Sequence, residues 1–391
     1  MFIVLCGLMN VKNGLLTASR FSCGKTKYKG VAVCCGAAAL SKQSGGKMKL
    51  DVIYQKDVSK GLEELPDRSI QCCVTSPPYY GLRDYGMKGQ IGLENTPEKY
   101  IKKLTEVFRE VKRVLCDTGT LWIVIADSYA GSGKGAWKNK SKSKETYIPD
   151  PGSVVTRLRT VRGTVKPKDM IGIPWMLAFA LRDDGWYLRQ DIIWAKPNPM
   201  PESVRDRCAK SHEYIFLFSK SRKYYFNAEA VKEPIAASSA ARLAQDIVRQ
   251  RGSVRVPGKK NGPMKAVIGK GSSRTFRGGG AYTGAKSFHN STPAARNSHG
   301  NVPNESGLRN KRSVWTVATV GYKRAHFATF PPKLIEPCII AGTPTGGIVL
   351  DPFMGTGTMG EVAKKNGRHY IGYELNPEYI ELAKDRIFEK I

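Results

Sequence analysis

Hydrophobic and polar positions follow two different periods along the chain from Met48 onward. Short apolar runs bounded by turn residues are typical of buried strands, and apolar residues recurring every three or four positions are typical of amphipathic helices. The first strands are predicted at 52–54, 69–75 and 121–126. Before the third strand, Thr96 is predicted to cap a helix that has Pro97 in its first position and ends at Gly119. The predicted core face of this helix comprises Tyr100, Ile101, Leu104, Val107, Phe108, Val111 and Leu115.

The same alternation continues through the rest of the chain. A helix is predicted to begin at Ile173 and Pro174, and strands follow at 187–194 and 214–218. Near the C-terminus, a strand at 347–351, a helix reaching Lys364 and a strand at 369–374 complete the pattern. Strands that alternate with helices predict an α/β fold with a mostly parallel sheet and covering helices.

Three stretches break this pattern. Residues 1–47 lack a sustained period, and we interpret them as a disordered extension or the result of a start codon assigned too far upstream. Residues 131–169 form a basic insert within the predicted catalytic half, 48–230. Residues 231–313 are rich in Gly, Ser, Asn and Arg, and a loop this long is usually functional or disordered. The predicted second half of the domain spans 314–391.

Charge points to a polyanionic partner. The chain of 391 residues has a formal net charge of +30, and 41% of its residues are hydrophobic, which is enough for a folded core. Such a basic chain suits nucleic acid or an anionic membrane surface. No apolar run is long enough to span a bilayer, which leaves nucleic acid as the favoured partner. The nine cysteines contain no CxxC pair, so we predict no metal site and a reducing cytoplasm.

A glycine loop follows the strand that ends at Asp351. The segment from Pro352 to Gly360 contains Gly355 and Gly357, a helix follows, and the next strand ends at Glu374. Glycines let the backbone approach a nucleotide-type ligand, and an acid at the end of the second strand can bind ribose hydroxyls. The position of the loop near the C-terminus favours a ligand with an amino-acid moiety over a dinucleotide.

A second loop follows the strand ending at Thr75. It reads Thr75-Ser76-Pro77-Pro78-Tyr79, in which two prolines fix the backbone directly after a strand. The amine of a nucleobase is a poor nucleophile, because its lone pair is delocalised into the ring. Ser76 Oγ and the Pro77 carbonyl can accept the amine hydrogens, and Tyr79 can stack on a base flipped out of the duplex.

Together the two motifs resemble those of the N4-cytosine and N6-adenine amino-methyltransferases of restriction–modification systems. Thr75–Tyr79 resembles the catalytic motif of that family, and Asp351–Gly357 resembles its S-adenosylmethionine loop. The order of the motifs resembles the circularly permuted beta group. The resemblance implies a Rossmann-like methyltransferase fold with a mostly parallel seven-stranded sheet, helices on both faces and a basic target-recognition insert.

The resemblance also implies roles for individual residues. Ser76, Pro77, Pro78 and Tyr79 are the implied catalytic set. Residues implied to contact S-adenosylmethionine are Asp57, Thr75, Phe327, Asp351, Pro352, Phe353, Gly355, Thr356, Gly357, Thr358, Glu374 and Asn376. Residues implied to hold the target base or DNA are Trp194, Lys196, Pro197 and Asn198. Serine at position 76 favours cytosine N4 over adenine N6 within this family, and double-stranded DNA and a separately encoded endonuclease are the implied partners.

Other functions fit fewer of these features. A cytosine-C5 enzyme would need a nucleophilic cysteine, and Cys338 follows Pro337 but lies in an apolar helical pattern that predicts core packing. A nicotinamide-dependent dehydrogenase would share the glycine loop, although that loop usually lies in an N-terminal fold. A basic nucleic-acid-binding protein without catalysis would explain the charge but leave the Thr75–Tyr79 loop unexplained.

The second basic region generates a prediction about recognition. Deleting 245–305 should leave S-adenosylmethionine binding intact and remove sequence preference, because this region takes the place of the target-recognition segment. Binding of the full chain to DNA should weaken steeply with salt if its Lys and Arg residues contact phosphates. Calorimetry with the cofactor and methylation mapping on mixed DNA test the two parts. Retained specificity in the deletion variant would place recognition elsewhere.

Overall fold

A computed structural model describes residues 48–82, 84–130, 165–238, 307–320 and 329–388. The predicted extension at 1–47 and Phe327 lie outside these ranges, as do most of the two basic regions. The helices are α1 (Val58–Glu63), α2 (Pro97–Val114), α3 (Ile173–Asp183), α4 (Pro332–Gly342), α5 (Thr358–Lys365) and α6 (Pro377–Phe388). None of the helices in these ranges is both long and apolar enough to cross a membrane.

The main sheet joins strands from both ends of the chain. Its strands are β1 (Val52–Gln55), β2 (Ile70–Thr75), β3 (Leu115–Ile125), β4 (Tyr187–Ala195), β5 (His212–Ser219), β8 (Val314–Thr316), β9 (Ile348–Asp351) and β10 (His369–Glu374). A separate two-stranded sheet pairs β6 (Glu233–Pro234) with β7 (Leu308–Arg309). The order across the main sheet is β1-β10-β9-β2-β3-β5-β4-β8. All neighbours are parallel except those of β5, which runs antiparallel to β3 and β4, so the predicted α/β fold with a mostly parallel sheet is confirmed.

The predicted number of seven strands is wrong for this sheet. Residues Val314–Thr316 pair in parallel with the edge of β4 and add an eighth strand. Only Trp315 of these three residues is buried, so the segment has too short an apolar pattern to be recognised as a strand. Its place depends on the long-range register with Ile193, Trp194 and Ala195.

Helices cover both faces of the sheet, as predicted. One apolar cluster packs α1, α2 and α3 against one face, and a second packs α4, α5 and the end of α6 against the other. The predicted core role of Cys338 is confirmed, because its side chain is fully buried in α4. The periodic apolar positions of α2 are buried as well.

The start of α2 matches the prediction and its end does not. The Thr96 side chain accepts a hydrogen bond from the Lys99 backbone N–H at 3.3 Å, and Pro97 occupies the first turn. The helix ends at Val114, because Leu115 turns to an extended conformation and begins β3. Gly119 therefore lies inside β3 rather than at the helix end. A Cβ at that position would lie 2.9 Å from the Cys116 carbonyl oxygen, which explains the glycine.

Candidate active site

The two motifs meet because β2 and β9 are adjacent parallel strands. Cys72 and Cys73 pair with Val349 and Leu350, so both strands end at the same edge of the sheet. There the Thr75 hydroxyl donates a hydrogen bond of 2.6 Å to Asp351 Oδ1, between two fully buried residues that are 276 positions apart. In open α/β sheets, ligands bind at the carboxyl ends of the strands. The structure thus brings the Thr75–Tyr79 loop and the glycine loop together at one edge of the sheet.

Two carboxylates hold the glycine loop in shape. Asp351 Oδ1 also accepts the Phe353 backbone N–H at 3.0 Å. Glu374 accepts the Gly355 N–H at 2.8 Å on one oxygen and the Asn376 N–H at 2.9 Å on the other. Each Glu374 oxygen keeps a second lone pair, so the carboxylate can support the loop and still accept a ligand hydroxyl.

Glycine is required at positions 355 and 357 for different physical reasons. Both adopt the left-handed conformation, with φ of +52° at Gly355 and +78° at Gly357. A Cβ on Gly355 would point into open space, with its nearest neighbour 4.0 Å away. A Cβ on Gly357 would lie 2.7 Å from the Ala383 Cβ in α6. Gly355 therefore leaves room beside the loop, whereas Gly357 allows close packing of α6.

The hydroxyls of Thr356 and Thr358 face the interior instead of this space. Both residues are buried, and Thr358 Oγ1 accepts a hydrogen bond of 2.6 Å from Arg386. Arg386 is itself paired with Glu361 on α5, and both side chains are more than nine-tenths buried. The two threonines thus anchor the underside of the loop to α6. Contact of their side chains with a cofactor remains a prediction that this geometry does not favour.

The remaining predicted cofactor residues surround the same edge of the sheet. Gln55 pairs with Glu374, which places Asp57 just beyond the end of β1 on the Glu374 side. The Asp57 side chain caps α1 by accepting the Ser59 N–H at 3.0 Å. Asn376 Oδ1 accepts the Glu378 N–H at 2.9 Å and so supports the start of α6. Pro352 is buried, and the half-buried Phe353 packs against the apolar cluster beneath α1 to α3.

The electrostatics of Asp351 fit a cationic ligand. Its second oxygen, Oδ2, is buried without a hydrogen-bond partner among the described residues. Burial raises the pKa of this carboxyl to about 7, and burial also raises the pKa of Glu374. A buried carboxylate without a counter-charge is costly, and a positively charged group beside it would lower that cost. S-adenosylmethionine has both a sulfonium and an amino group, so these residues fit its charge as well as its ribose hydroxyls.

In the Thr75–Tyr79 loop, one of the two proline carbonyls already has a donor and the other has none among the described residues. Tyr100 on α2 donates a hydrogen bond of 2.7 Å from its hydroxyl to the Pro78 carbonyl. No residue that the structure describes donates to the preceding carbonyl, that of Pro77. Ser76 is half-buried and Pro77 is buried, so the loop is fixed from below while Ser76 remains accessible.

The Tyr79 ring is held by a chain of polar contacts. Its hydroxyl donates to Glu213 Oε2 at 2.7 Å, and Lys196 forms an ion pair with the other Glu213 oxygen. The Lys196 ammonium lies 4.2 Å from the centre of the Trp194 ring. Burial raises the pKa of the Tyr79 phenol well above its usual range, the Glu213 carboxylate adds to this rise, and Ser76 opposes it. The phenol therefore stays protonated and donates to Glu213.

The predicted base-holding residues divide into buried and exposed members. Trp194 has only 3% of its surface exposed, and its indole N–H donates to the Val317 carbonyl at 2.7 Å. Its burial argues against direct stacking on a base. Pro197 and Asn198 are exposed, and Asn198 forms hydrogen bonds with Thr319 through its side-chain amide and its carbonyl. Glu213 and Arg386 escaped sequence reasoning, and their only local signal was a charged residue beginning or interrupting an apolar run. Tyr100 was predicted as a core position of α2, but its bond to the Pro78 carbonyl was not.

Comparison with known proteins agrees with this geometry. A family model described as DNA methylase, for N6 and N4 methyltransferases, matches residues 70–385. Type II methyltransferase M.XycI from Xanthomonas campestris pv. cyanopsidis is 42% identical over 335 residues, which cover 86% of this chain and 87% of that protein. Type II methyltransferase M.Cfr9I from Citrobacter freundii is 40% identical over 335 residues, with 86% and 87% covered.

A solved structure shares the fold. The structure described as PvuII DNA methyltransferase (cytosine-N4-specific) superposes with a TM-score of 0.52 and covers 86% of each chain. Its sequence identity of 16% makes this a likeness of fold alone.

The contrast between the two loop glycines generates a paired prediction. Gly355→Ala and Gly357→Ala introduce the same left-handed strain, about 1–2 kcal/mol. Only Gly357→Ala should lose further stability, about 1–3 kcal/mol, because its methyl group meets Ala383. Gly355→Ala should fold but bind S-adenosylmethionine at least about tenfold more weakly, since about 1.4 kcal/mol of lost contact is sufficient. Denaturant unfolding and calorimetry measure the two effects. Cofactor affinity unchanged in Gly355→Ala would contradict the assignment.

The raised pKa of Asp351 generates a prediction about pH. In the unfolded chain this carboxyl ionises near 3.8, whereas in the folded protein it keeps its proton up to about pH 7. Its contribution to stability is therefore lost as pH rises from 3.8 to about 7. Asp351→Asn keeps an acceptor for Thr75 and Phe353 N–H, so its stability relative to the wild type should increase across this window. Unfolding free energies measured by denaturant across the window test this.

Cofactor binding should show the opposite pH dependence. Because the ionised Asp351 attracts a cationic ligand, the affinity of the wild type for S-adenosylmethionine should rise between about pH 6 and about pH 8. Asp351→Asn should bind more weakly and lose most of this rise, which separates the carboxyl from titration of the cofactor's own amine. Equal pH profiles for the two proteins in calorimetry would exclude Asp351 as the responsible group.

Proposed function

This chain belongs to the N6/N4 DNA methylase family, and on that premise we propose that it transfers a methyl group to the N4 amine of a cytosine flipped out of double-stranded DNA. The observation that carries the proposal is the buried hydrogen bond between Thr75 and Asp351. It places the loop suited to polarising an amine directly beside the loop suited to a cationic nucleoside ligand. S-adenosylmethionine is the cofactor, and when bound it supplies an electrophilic methyl group on its sulfonium centre.

The protein's own contribution is to prepare the amine. The lone pair of a base amine is delocalised into the ring, and acceptors on its two hydrogens favour a tetrahedral nitrogen. Ser76 Oγ and the Pro77 carbonyl are suited to accept these hydrogens. The Pro78 carbonyl already accepts from Tyr100, so of the two proline carbonyls only that of Pro77 has no donor among the described residues. Positioned acceptors of this kind act by orientation and by stabilising developing charge.

No strong general base is required before transfer. The amine proton becomes acidic only once the nitrogen carries the methyl group, and one of the two hydrogens held by Ser76 Oγ and the Pro77 carbonyl then leaves to water as a proton. The half-buried Tyr79 stays protonated and keeps its hydroxyl on Glu213, so it contributes its ring face and not a base. The pH profile should therefore lack a steep limb from an activated histidine.

Serine at position 76 supports cytosine over adenine. Within the family this position is usually serine in N4-cytosine enzymes and an acidic or amide residue in N6-adenine enzymes. Adenine N6 is the second candidate, because both amines need the same acceptors. Digesting methylated DNA to nucleosides and identifying N4-methylcytosine or N6-methyladenine by mass spectrometry distinguishes the two.

The proposed setting follows from the same premise. DNA is the substrate, and the net charge of +30 supports binding to its phosphates. We further infer a circularly permuted beta-group order, because the Thr75–Tyr79 loop precedes the glycine loop in the chain. A separately encoded restriction endonuclease is the proposed partner, and the cytoplasm of a bacterial, archaeal or phage-infected cell is the proposed location.

The role of Ser76 generates a prediction about catalysis. Ser76→Ala removes one acceptor and leaves the Pro77 carbonyl and the cofactor site in place. The kcat for methyl transfer should fall by about 10²–10³, by analogy with the loss of one oxyanion-hole donor, while cofactor affinity stays unchanged. Tyr79→Ala should instead weaken capture of the flipped base by about 1–3 kcal/mol. Single-turnover rates on cognate duplex provide the measurement, and a wild-type rate for Ser76→Ala would exclude the proposed role of this loop.

A further inference from the structure

Glu213 joins the catalytic loop to the loop that follows β4. It lies near the start of β5, where its register partner is Trp194 in β4. The pairing of β5 with β3 begins one residue later, at Tyr214, so β3 has no strand residue opposite Glu213. One carboxylate oxygen accepts from the Tyr79 hydroxyl, and the other is paired with Lys196.

Glu213 forms a cluster with Tyr79, Lys196 and Trp194, and the contacts within this cluster leave its side chains little freedom. The side chains of Lys196 and Glu213 have relative exposures of only 17% and 13%, so solvent screens their ion pair weakly. The Lys196 ammonium also rests on the Trp194 ring, which is itself fixed by its bond to Val317. With its charge engaged on both sides, Lys196 is poorly placed to neutralise a phosphate.

The bond to Glu213 orients the Tyr79 ring. The phenol oxygen lies on the axis about which the ring turns, so a bond at the hydroxyl fixes the direction of that axis. A phenol O–H prefers to lie in the plane of its ring, so the position of the acceptor also favours one orientation of the ring face. Stacking on a base depends on the direction of the ring face, so the acceptor of the phenol sets the surface that a flipped base meets. Hydrogen bonds to charged acceptors are the stronger class in proteins.

We propose that Glu213 is a positioning residue for methyl transfer. By accepting the Tyr79 hydroxyl while paired with Lys196, it orients the Tyr79 ring and holds the loop after β4 against it before DNA binds. The charge of Lys196 therefore serves this cluster and not a DNA phosphate. This inference rests on the proposed function, because it assumes that a base stacks on Tyr79.

The test is a double-mutant cycle of Tyr79→Phe and Glu213→Ala. Each single variant should lower the single-turnover rate by about 10- to 100-fold, because each removes the same charge-assisted hydrogen bond. The double variant should be close to the slower single variant, since the bond can be lost only once. KM for DNA and the Kd for S-adenosylmethionine should stay within about twofold of wild type. Additive losses in the double variant would overturn the proposal.

Further variants separate positioning from loss of structure. Glu213→Gln keeps an acceptor for the phenol and should retain more activity than Glu213→Ala, and it also provides the cycle if Glu213→Ala fails to fold. Glu110→Gln removes one of the two acidic partners of Arg113 on α2, the other being Asp67, and is the control, with an expected wild-type rate. An equal loss in Glu110→Gln and Glu213→Gln would mean that any lost ion pair has this effect, which overturns the positioning role.

A spectroscopic measurement and a salt series complete the test. With 2-aminopurine at the target position, base flipping by Tyr79→Phe and by Glu213→Ala should give the same reduced fluorescence change, and different changes would count against a shared role.

Lys196→Met should lower the rate but leave the salt dependence of DNA binding unchanged, whereas a phosphate contact would reduce the slope of that salt dependence by about one. Failure of the wild-type protein to methylate any DNA would overturn the proposed function itself. If the wild type methylates DNA but the losses of the two single variants add up in the double variant, only the role of Glu213 is overturned.

Discussion

The hydrogen bond between Thr75 and Asp351 is the contact on which the site depends. It exists because β2 and β9 are parallel neighbours, so two segments 276 residues apart end at the same edge of the sheet. Asp351 uses the same oxygen to hold the Phe353 N–H, and this joins the shape of the glycine loop to the position of the catalytic loop. A displacement of either loop would therefore shift the other, so one shared contact sets the relative position of the two loops.

Most regular elements could be predicted because their signals are local. The apolar period of α2, its Thr96 cap and the buried strands before both motifs are visible in short windows of sequence. The eighth strand and the end of α2 were missed, because they depend on pairing with distant residues. The residues of the site differ in the same way, because some have local signals and others depend on distant contacts. Its motifs could be read from local spacing, whereas Glu213 and Arg386 act through contacts with residues far away in the chain.

The glycine loop shows why a motif does not assign the role of each of its residues. Gly355 and Gly357 have the same backbone conformation, yet one borders open space and the other borders Ala383. Thr356 and Thr358 lie beside them, yet their hydroxyls are engaged by Arg386 beneath the loop. Spacing indicates that such a loop exists, but only packing separates the residues that can meet a ligand from those that support them.

The charge of the whole chain and the charge of the residues at the site have opposite signs. The chain is strongly basic as a whole, which suits attraction to DNA, whereas the site contains three carboxylates, the buried one of Asp351 and the half-buried ones of Glu374 and Glu213. The negative charge of each carboxylate is stabilised by different partners. Glu374 has two backbone N–H groups, Glu213 has Lys196 and Tyr79, and Asp351 keeps one oxygen without a partner among the described residues. Because an uncompensated buried charge is costly, Asp351 is the carboxylate that would gain most from a cationic ligand. The same reasoning makes Glu213, whose charge is already matched, a support for Tyr79 rather than a ligand contact.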